Sequence, residues 1–163
     1  MKRKFCLFLI GLFLLGALMG NQVAVAEEIE RPKSVLSTDV YALTTGMINA
    51  KYEKVLKPDL SYTLGAGIDS TFGVSAFLGT IGIRKYLKPT APEGFWFEGS
   101  GGIVTVSVLG ISVIVYTVTG GLGYKWFLGE KFVMEPYAGY TVASIAGYST
   151  GVFNWGFSVG FAF

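Results

Sequence analysis

The chain has 163 residues, 52% of them hydrophobic, with 23 glycines, a single cysteine and no histidine. A formal charge of +2 lacks the basic excess that nucleic-acid binding uses. The missing histidine removes the side chain best suited to acid–base work near neutrality, and one cysteine cannot form an internal disulfide or a thiol-rich metal site.

Residues 1–26 read as a cleaved signal peptide. "MKRK" is a basic n-region, "FCLFLIGLFLLGALMG" an apolar h-region, and "AVA" at 24–26 a small-x-small cleavage site. An uncleaved N-terminal membrane anchor is the alternative. Cleavage takes with it Cys6 and three of the 13 basic residues, leaving 10 against 11 acidic ones, a net charge of −1. The polar stretch "EEIERPKSVL", 27–36, is expected to be a periplasmic leader, too short for a cell-wall-binding domain. Small exported domains without cysteines need some stabilisation other than disulfides.

Beyond the leader, period-two alternation predicts strands over 37–44, 46–56, 60–68, 73–87, 94–108, 111–127, 132–145 and 153–163. Turn-forming stretches separate them: "TTG", "LKPD", "DSTFG", "KPTAPEG", "LG", "LGEK" and "AGYSTGVF". The run "IVTVSVLGISVIVYTVTGGLG", 103–123, has the length of a transmembrane helix. Its Val, Ile and Thr content and its central Gly110 favour a hairpin instead.

In the last strand Trp155, Phe157, Val159, Phe161 and Phe163 occupy one face, and Asn154, Gly156, Ser158, Gly160 and Ala162 the other. A large apolar face without charges, opposite a small polar one, suits a wall between lipid and a polar lumen. In hydrocarbon every backbone polar group must be paired, so a spanning sheet has to close. The expected fold is all-β: an eight-stranded antiparallel transmembrane meander β-barrel over 37–163.

The stretches "INAKYEKVLKPDLSYTLGAGI", "IGIRKYLKP" and "GGLGYKWFLGEKFVMEPYAGY" carry a resemblance. The chain resembles the small eight-stranded outer-membrane barrels of the OmpA, OmpX and OmpW type, and more closely an outer-membrane barrel family of unknown function. The terminal "FAF", with Phe161 and Phe163, resembles the aromatic signal read by the barrel-assembly machinery. The resemblance implies an outer-membrane location in bacteria, contact with outer-membrane lipid, and the "LKPD", "KPTAPEG" and "LGEK" turns on the periplasmic side.

Alternation places Lys51 and Glu53, Arg84, Glu98, Lys125 and Glu135 on inward faces, three positive and three negative charges close to those turns. An eight-stranded barrel is just wide enough for side chains to fill, and charges removed from water must be paired. The belt therefore reads as a structural plug, with a gate or narrow ion path as the alternative. Gly65, Gly67, Gly121, Gly123, Gly139, Gly156 and Gly160 share the inward parity, and either leave room for water or let the strands curve. Tyr52, Tyr86, Phe95, Phe97, Tyr124 and Trp126 lie near the same turns and are expected to form an interfacial aromatic girdle.

Outer-membrane barrel enzymes generally rely on a histidine. Without one, the chain has no expected catalytic, cofactor-binding or metal-ligating residues, and is not expected to be an enzyme or to bind nucleic acid. A monomeric structural barrel of the cell envelope with a plugged lumen is the favoured function. A narrow pore or carrier for small solutes, hydrophobic ones included, is the alternative, followed by a surface interaction module using "AGYSTGVFN".

Overall fold

The computed structural model describes residues 32–71, 74–109 and 111–163. The strands are β1 (Ser34–Asp39), β2 (Ile48–Lys57), β3 (Leu60–Thr71), β4 (Val74–Tyr86), β5 (Gly94–Val108), β6 (Ile111–Leu128), β7 (Phe132–Ile145) and β8 (Tyr148–Ala162). One short helix, α1 (Val40–Thr44), follows β1. Each strand pairs antiparallel with the next, and β1 closes on β8 through Val35↔Ala162 to Asp39↔Ser158. The barrel has no free edge over the height of β1, which is how a sheet avoids offering itself to other chains.

The apolar run at 103–123 is a hairpin. β5 and β6 pair without interruption from Gly94↔Lys125 to Val108↔Ile111, and Leu109 at the tip has φ +50°. β-Branched residues standing off a pleated surface account for that choice over a helix. Among the described residues no helix is long and apolar enough to cross a membrane.

Two expected elements are corrected. The first strand was expected at 37–44, with 27–36 as a leader, but β1 occupies Ser34–Asp39 and residues 40–44 are helical. Asp39 stops the strand by acting as an N-cap, its carboxylate accepting from the Ala42 N–H at 2.7 Å. The last strand was expected from 153, yet β8 begins at Tyr148, so "AGYSTGVF" is mostly ladder around a turn at Ala146 and Gly147. Both turn residues have positive φ, +48° and +88°, as short hairpin loops favour.

One end of the barrel, here the lower end, carries both chain-terminal strand ends and three turns. Ser34 and Phe163 exchange backbone bonds of 3.0 and 2.9 Å. The Tyr86 N–H reaches the Asp59 carbonyl, the Ala91 N–H that of Pro58, and the Ala162 N–H that of Lys131. The opposite, upper end consists of three hairpin tips and α1, which stands where β1 stops short and stacks Tyr41 on Trp155 at 5.4 Å between centroids.

Ladder register assigns every side chain to the lumen or the outside. For most of the wall the outside is apolar: Leu64, Ile68, Phe77, Ile81, Ile83, Ile103, Val118 and Leu122 are all exposed there. The band is bounded below by Lys54 and Lys85. It is bounded above by three facing serine pairs, Ser70↔Ser75, Ser107↔Ser112 and Ser144↔Ser149, one in each upper hairpin. The hydroxyls of the last two pairs lie 2.7 Å apart. At the same height the polarity inverts, and Val74, Val108, Ile111, Val113 and Ile145 face inward.

Candidate functional site: an ion-pair plug in the lower lumen

Arg84 is the centre of the lower lumen and is fully buried. β4 projects it inward beside its ladder partners Ser61 and Glu98. Its Nη1 donates to Glu53 of β2 and to Glu135 of β7, both at 2.8 Å. Its Nη2 donates to Glu98 at 2.7 Å and to Glu135 at 3.0 Å, and its Nε to Glu98 at 3.0 Å. A planar fork with five donors is the side chain suited to bridging three carboxylates.

Lys125 is also buried. It donates to Glu53 and lies 3.0 Å from Glu135. The remaining lone pairs of Glu53 are met by Ser61 and by the Tyr86 hydroxyl, each at 2.6 Å. Desolvating so many charges is costly unless every one is paired and hydrogen-bonded, and around Glu53 and Arg84 the pairing is complete. Lys51 joins the network only at its upper margin, donating to Glu98 at 3.2 and 3.4 Å with its side chain 37% exposed.

The structure thus brings all six expected belt residues into one network. The aromatic residues divide. Tyr52, Phe95, Phe97, Tyr124 and Trp126 lie on outward ladder positions, with edge and tilted ring contacts Phe95–Phe97 and Tyr124–Trp126 at 5.2 and 5.9 Å. Phe161 and Phe163 are exposed on the outside. Tyr86 is a correction: it shares the parity of Arg84, is 1% exposed and belongs to the plug. Its hydroxyl donates to Glu53, the partner that a buried phenol needs.

Trp96 was missed. It shares the parity of Glu98, is buried, and lies under the Arg84 guanidinium with 3.7 Å from Cζ to the ring centroid. Its parity and its place two residues before Glu98 were the signals that would have found it. Gly123 makes room for it, since a Cβ there would sit 2.5 Å from Trp96 Cζ2 and 2.6 Å from the Pro136 carbonyl. At this position the luminal glycine serves packing and not water.

A second polar cluster stands higher. Asp39, besides capping α1, accepts from the Tyr137 hydroxyl, and its backbone N–H donates to Asn49 Oδ1 at 2.9 Å. Above the plug the lumen opens into a cavity of about 570 Å3 whose lining includes Asn49, Lys51, Leu78, Trp96, Glu98 and Val104. Among the described residues no group of three or more histidine, cysteine or acidic side chains is placed to hold a metal ion.

The fold and site define a class: a closed eight-stranded antiparallel barrel, apolar outside, with a network of paired charges across its lumen near one end. No family model, curated protein or solved structure matches the chain.

Proposed function

We propose that the chain is a bacterial outer-membrane β-barrel that serves the envelope structurally, its lumen plugged by the Arg84 network. The inside-out distribution of polarity carries this reading. A water-soluble barrel buries its apolar face, whereas here fully buried Arg84 and Lys125 occupy the interior while Ile81 and Val118 are 64% and 68% exposed. The band has the right height. Ser75 to Lys85 is ten residue steps along β4, about 33 Å at ~3.3 Å per residue, or roughly 25 Å after a ~40° strand tilt, matching the apolar belt of outer-membrane barrels. In this orientation the lower turns are periplasmic, the outward aromatic residues sit at the lower interface, and the barrel-assembly machinery reads Phe161 and Phe163.

Residues 27–163 contain no cysteine, so single cysteines can report on the band. Protein refolded into phospholipid vesicles is treated with a membrane-impermeant maleimide. Ser107→Cys is expected to react and Ile81→Cys to be protected until detergent is added. Equal labelling of both in intact vesicles would refute the membrane assignment.

A further inference from the structure

β1 is much shorter than the strand it closes on. β8 runs from Tyr148 to Ala162, but β1 accompanies it only from Val35↔Ala162 to Asp39↔Ser158. Ser34 and Phe163 exchange both backbone bonds, so the odd-numbered residues of β8 turn their N–H and C=O groups toward β1. Phe161 and Val159 find Leu36 and Thr38 there. Trp155, Phe153 and Gly151, higher on the same edge, have no ladder partner on that side. Across the gap, β2 begins only at Ile48, opposite Ile68. The upper half of the wall therefore has a slot where β1 is missing, at the height of outward-facing Trp155 and Phe153.

α1 stands in this slot without sealing it. None of its residues is buried, and Tyr41 meets β8 by stacking on Trp155. The N–H groups of Thr45, Gly46 and Met47 turn back to the carbonyls of Ala42 and Leu43, and so stay within the segment. The cavity above the plug reaches the slot. Its lining includes Asn154 and Ser158 from the inner face of β8, Phe153 and Trp155 from the outward ladder positions, and Tyr41 and Met47 beside them.

A five-residue helix is marginal by itself, and "VYALT" reads as strand by its alternation and its β-branched and aromatic residues. The Asp39 cap and the Tyr41–Trp155 stack hold it helical. Its extended form has a place ready. Continuing the register with β8 sets Val40 against Phe157 and Ala42 against Trp155, and continuing that with β2 sets Val40 against Ile48. Val40 and Ala42 would then face outward, apolar like the band around them. Tyr41, with the parity of luminal Val35, would turn into the cavity.

We infer that α1 is a lid over a side opening of the barrel, and that residues 40–42 close the opening by joining the ladder as a continuation of β1. Open, the upper lumen communicates sideways past Trp155. Closed, the wall is continuous to Trp155 and Tyr41 occupies part of the cavity. The inference rests on the membrane reading only for what lies outside the slot, which is lipid, where an unpaired backbone edge is unfavourable.

The test reads the backbone. Isotope-labelled residues 27–163 are refolded in lipid nanodiscs, with a heat-dependent gel shift confirming the folding of each variant. Carbon chemical shifts of residues 40–44 separate helix from strand. Amide exchange at Trp155 reports its edge, with Val159, paired on the same edge, as the internal standard. Native protein is expected to show helical shifts and faster exchange at Trp155 than at Val159. Asp39→Ala removes the cap and should raise the strand-to-helix ratio about fivefold, the scale of one N-cap, while slowing exchange at Trp155. Ala42→Val leaves Asp39 in place, favours the extended backbone and should act in the same direction. Tyr137→Phe, which removes only the other partner of Asp39, should leave the ratio unchanged. Helical shifts that persist in both Asp39→Ala and Ala42→Val, or a segment that loosens without protecting Trp155, would overturn the inference. Equal maleimide labelling of the outer wall would remove lipid from outside the slot and leave these readings as they are.

Discussion

Arg84 and Glu53 stand on strands that are not neighbours in the barrel, yet their side chains meet at 2.8 Å in its lower lumen. β3 lies between β2 and β4, so the contact crosses the lumen and does not follow the wall. With Glu135 reached from the far side, one guanidinium ties β2, β5 and β7 to β4. Removing it would leave three carboxylates facing two lysines. Breaking a buried pair by deleting one partner costs about 3–5 kcal/mol. Arg84→Met is therefore expected to lower the stability of the refolded barrel by that amount in urea titrations monitored by tryptophan fluorescence. Arg84→Lys should recover only part, because an ammonium cannot bridge three carboxylates as a fork does.

Lys51 should behave differently although it belongs to the same network. It is partly exposed and bonds a single carboxylate at distances above 3.1 Å. Exposed ion pairs contribute about 0–1 kcal/mol. Lys51→Gln is expected to shift the urea midpoint by no more than that, and a loss equal to that of Arg84→Met would show that the network acts as one unit.

Gly123→Ala is expected to be destabilising by about 1–3 kcal/mol, the usual cost of forcing a methyl group into a filled interior. The new Cβ would meet both the Trp96 ring and the Pro136 carbonyl. Trimming the ring in a Gly123→Ala/Trp96→Leu double variant should restore part of the loss and not all of it, since the carbonyl remains. Thermal unfolding by circular dichroism reads both.

Asp59, in the turn between β2 and β3, donates no structure to the lumen but pairs with Lys85. The hydrogen bond from Lys85 holds its carboxyl below the usual carboxylate range. A depressed acid contributes stability above its ordinary pKa of about 3.9 and loses it as pH falls through the lowered value. The carboxyl carbon of Asp59, followed by NMR, is expected to titrate below that ordinary value in the native protein and to move upward in Lys85→Met.

Alternation made most of the wall legible, and its failures have local causes. At 40–44 the sequence "VYALT" continues to look extended, but the Asp39 side chain satisfies a helix N-terminus and takes the chain out of the ladder. At 146–153 the glycines looked like loop. Gly151 is instead a ladder residue opposite Val142, with the end of the Tyr140 side chain laid over it. Tyr86 was assigned by residue type, aromatic near a turn, when its two-residue spacing from Arg84 already pointed inward. The six charges could be read because most of them have a small or polar neighbour of the same parity, such as Gly82 for Arg84, Ser100 for Glu98 and Gly123 for Lys125. Which carboxylate meets which cation could not: apart from Arg84–Glu98 and Lys125–Glu135, which join adjacent strands, those contacts cross the lumen and depend on barrel closure.

The central claim is that this plug closes the barrel. Single-channel recording of refolded residues 27–163 in a planar lipid bilayer tests it most directly, with the heat-dependent gel shift confirming that the inserted protein is folded. The account predicts a silent bilayer for the native protein. Steady, reproducible conductance from folded native protein, altered by Glu53→Gln, would contradict it and turn the Arg84 network from a seal into the constriction of a pore.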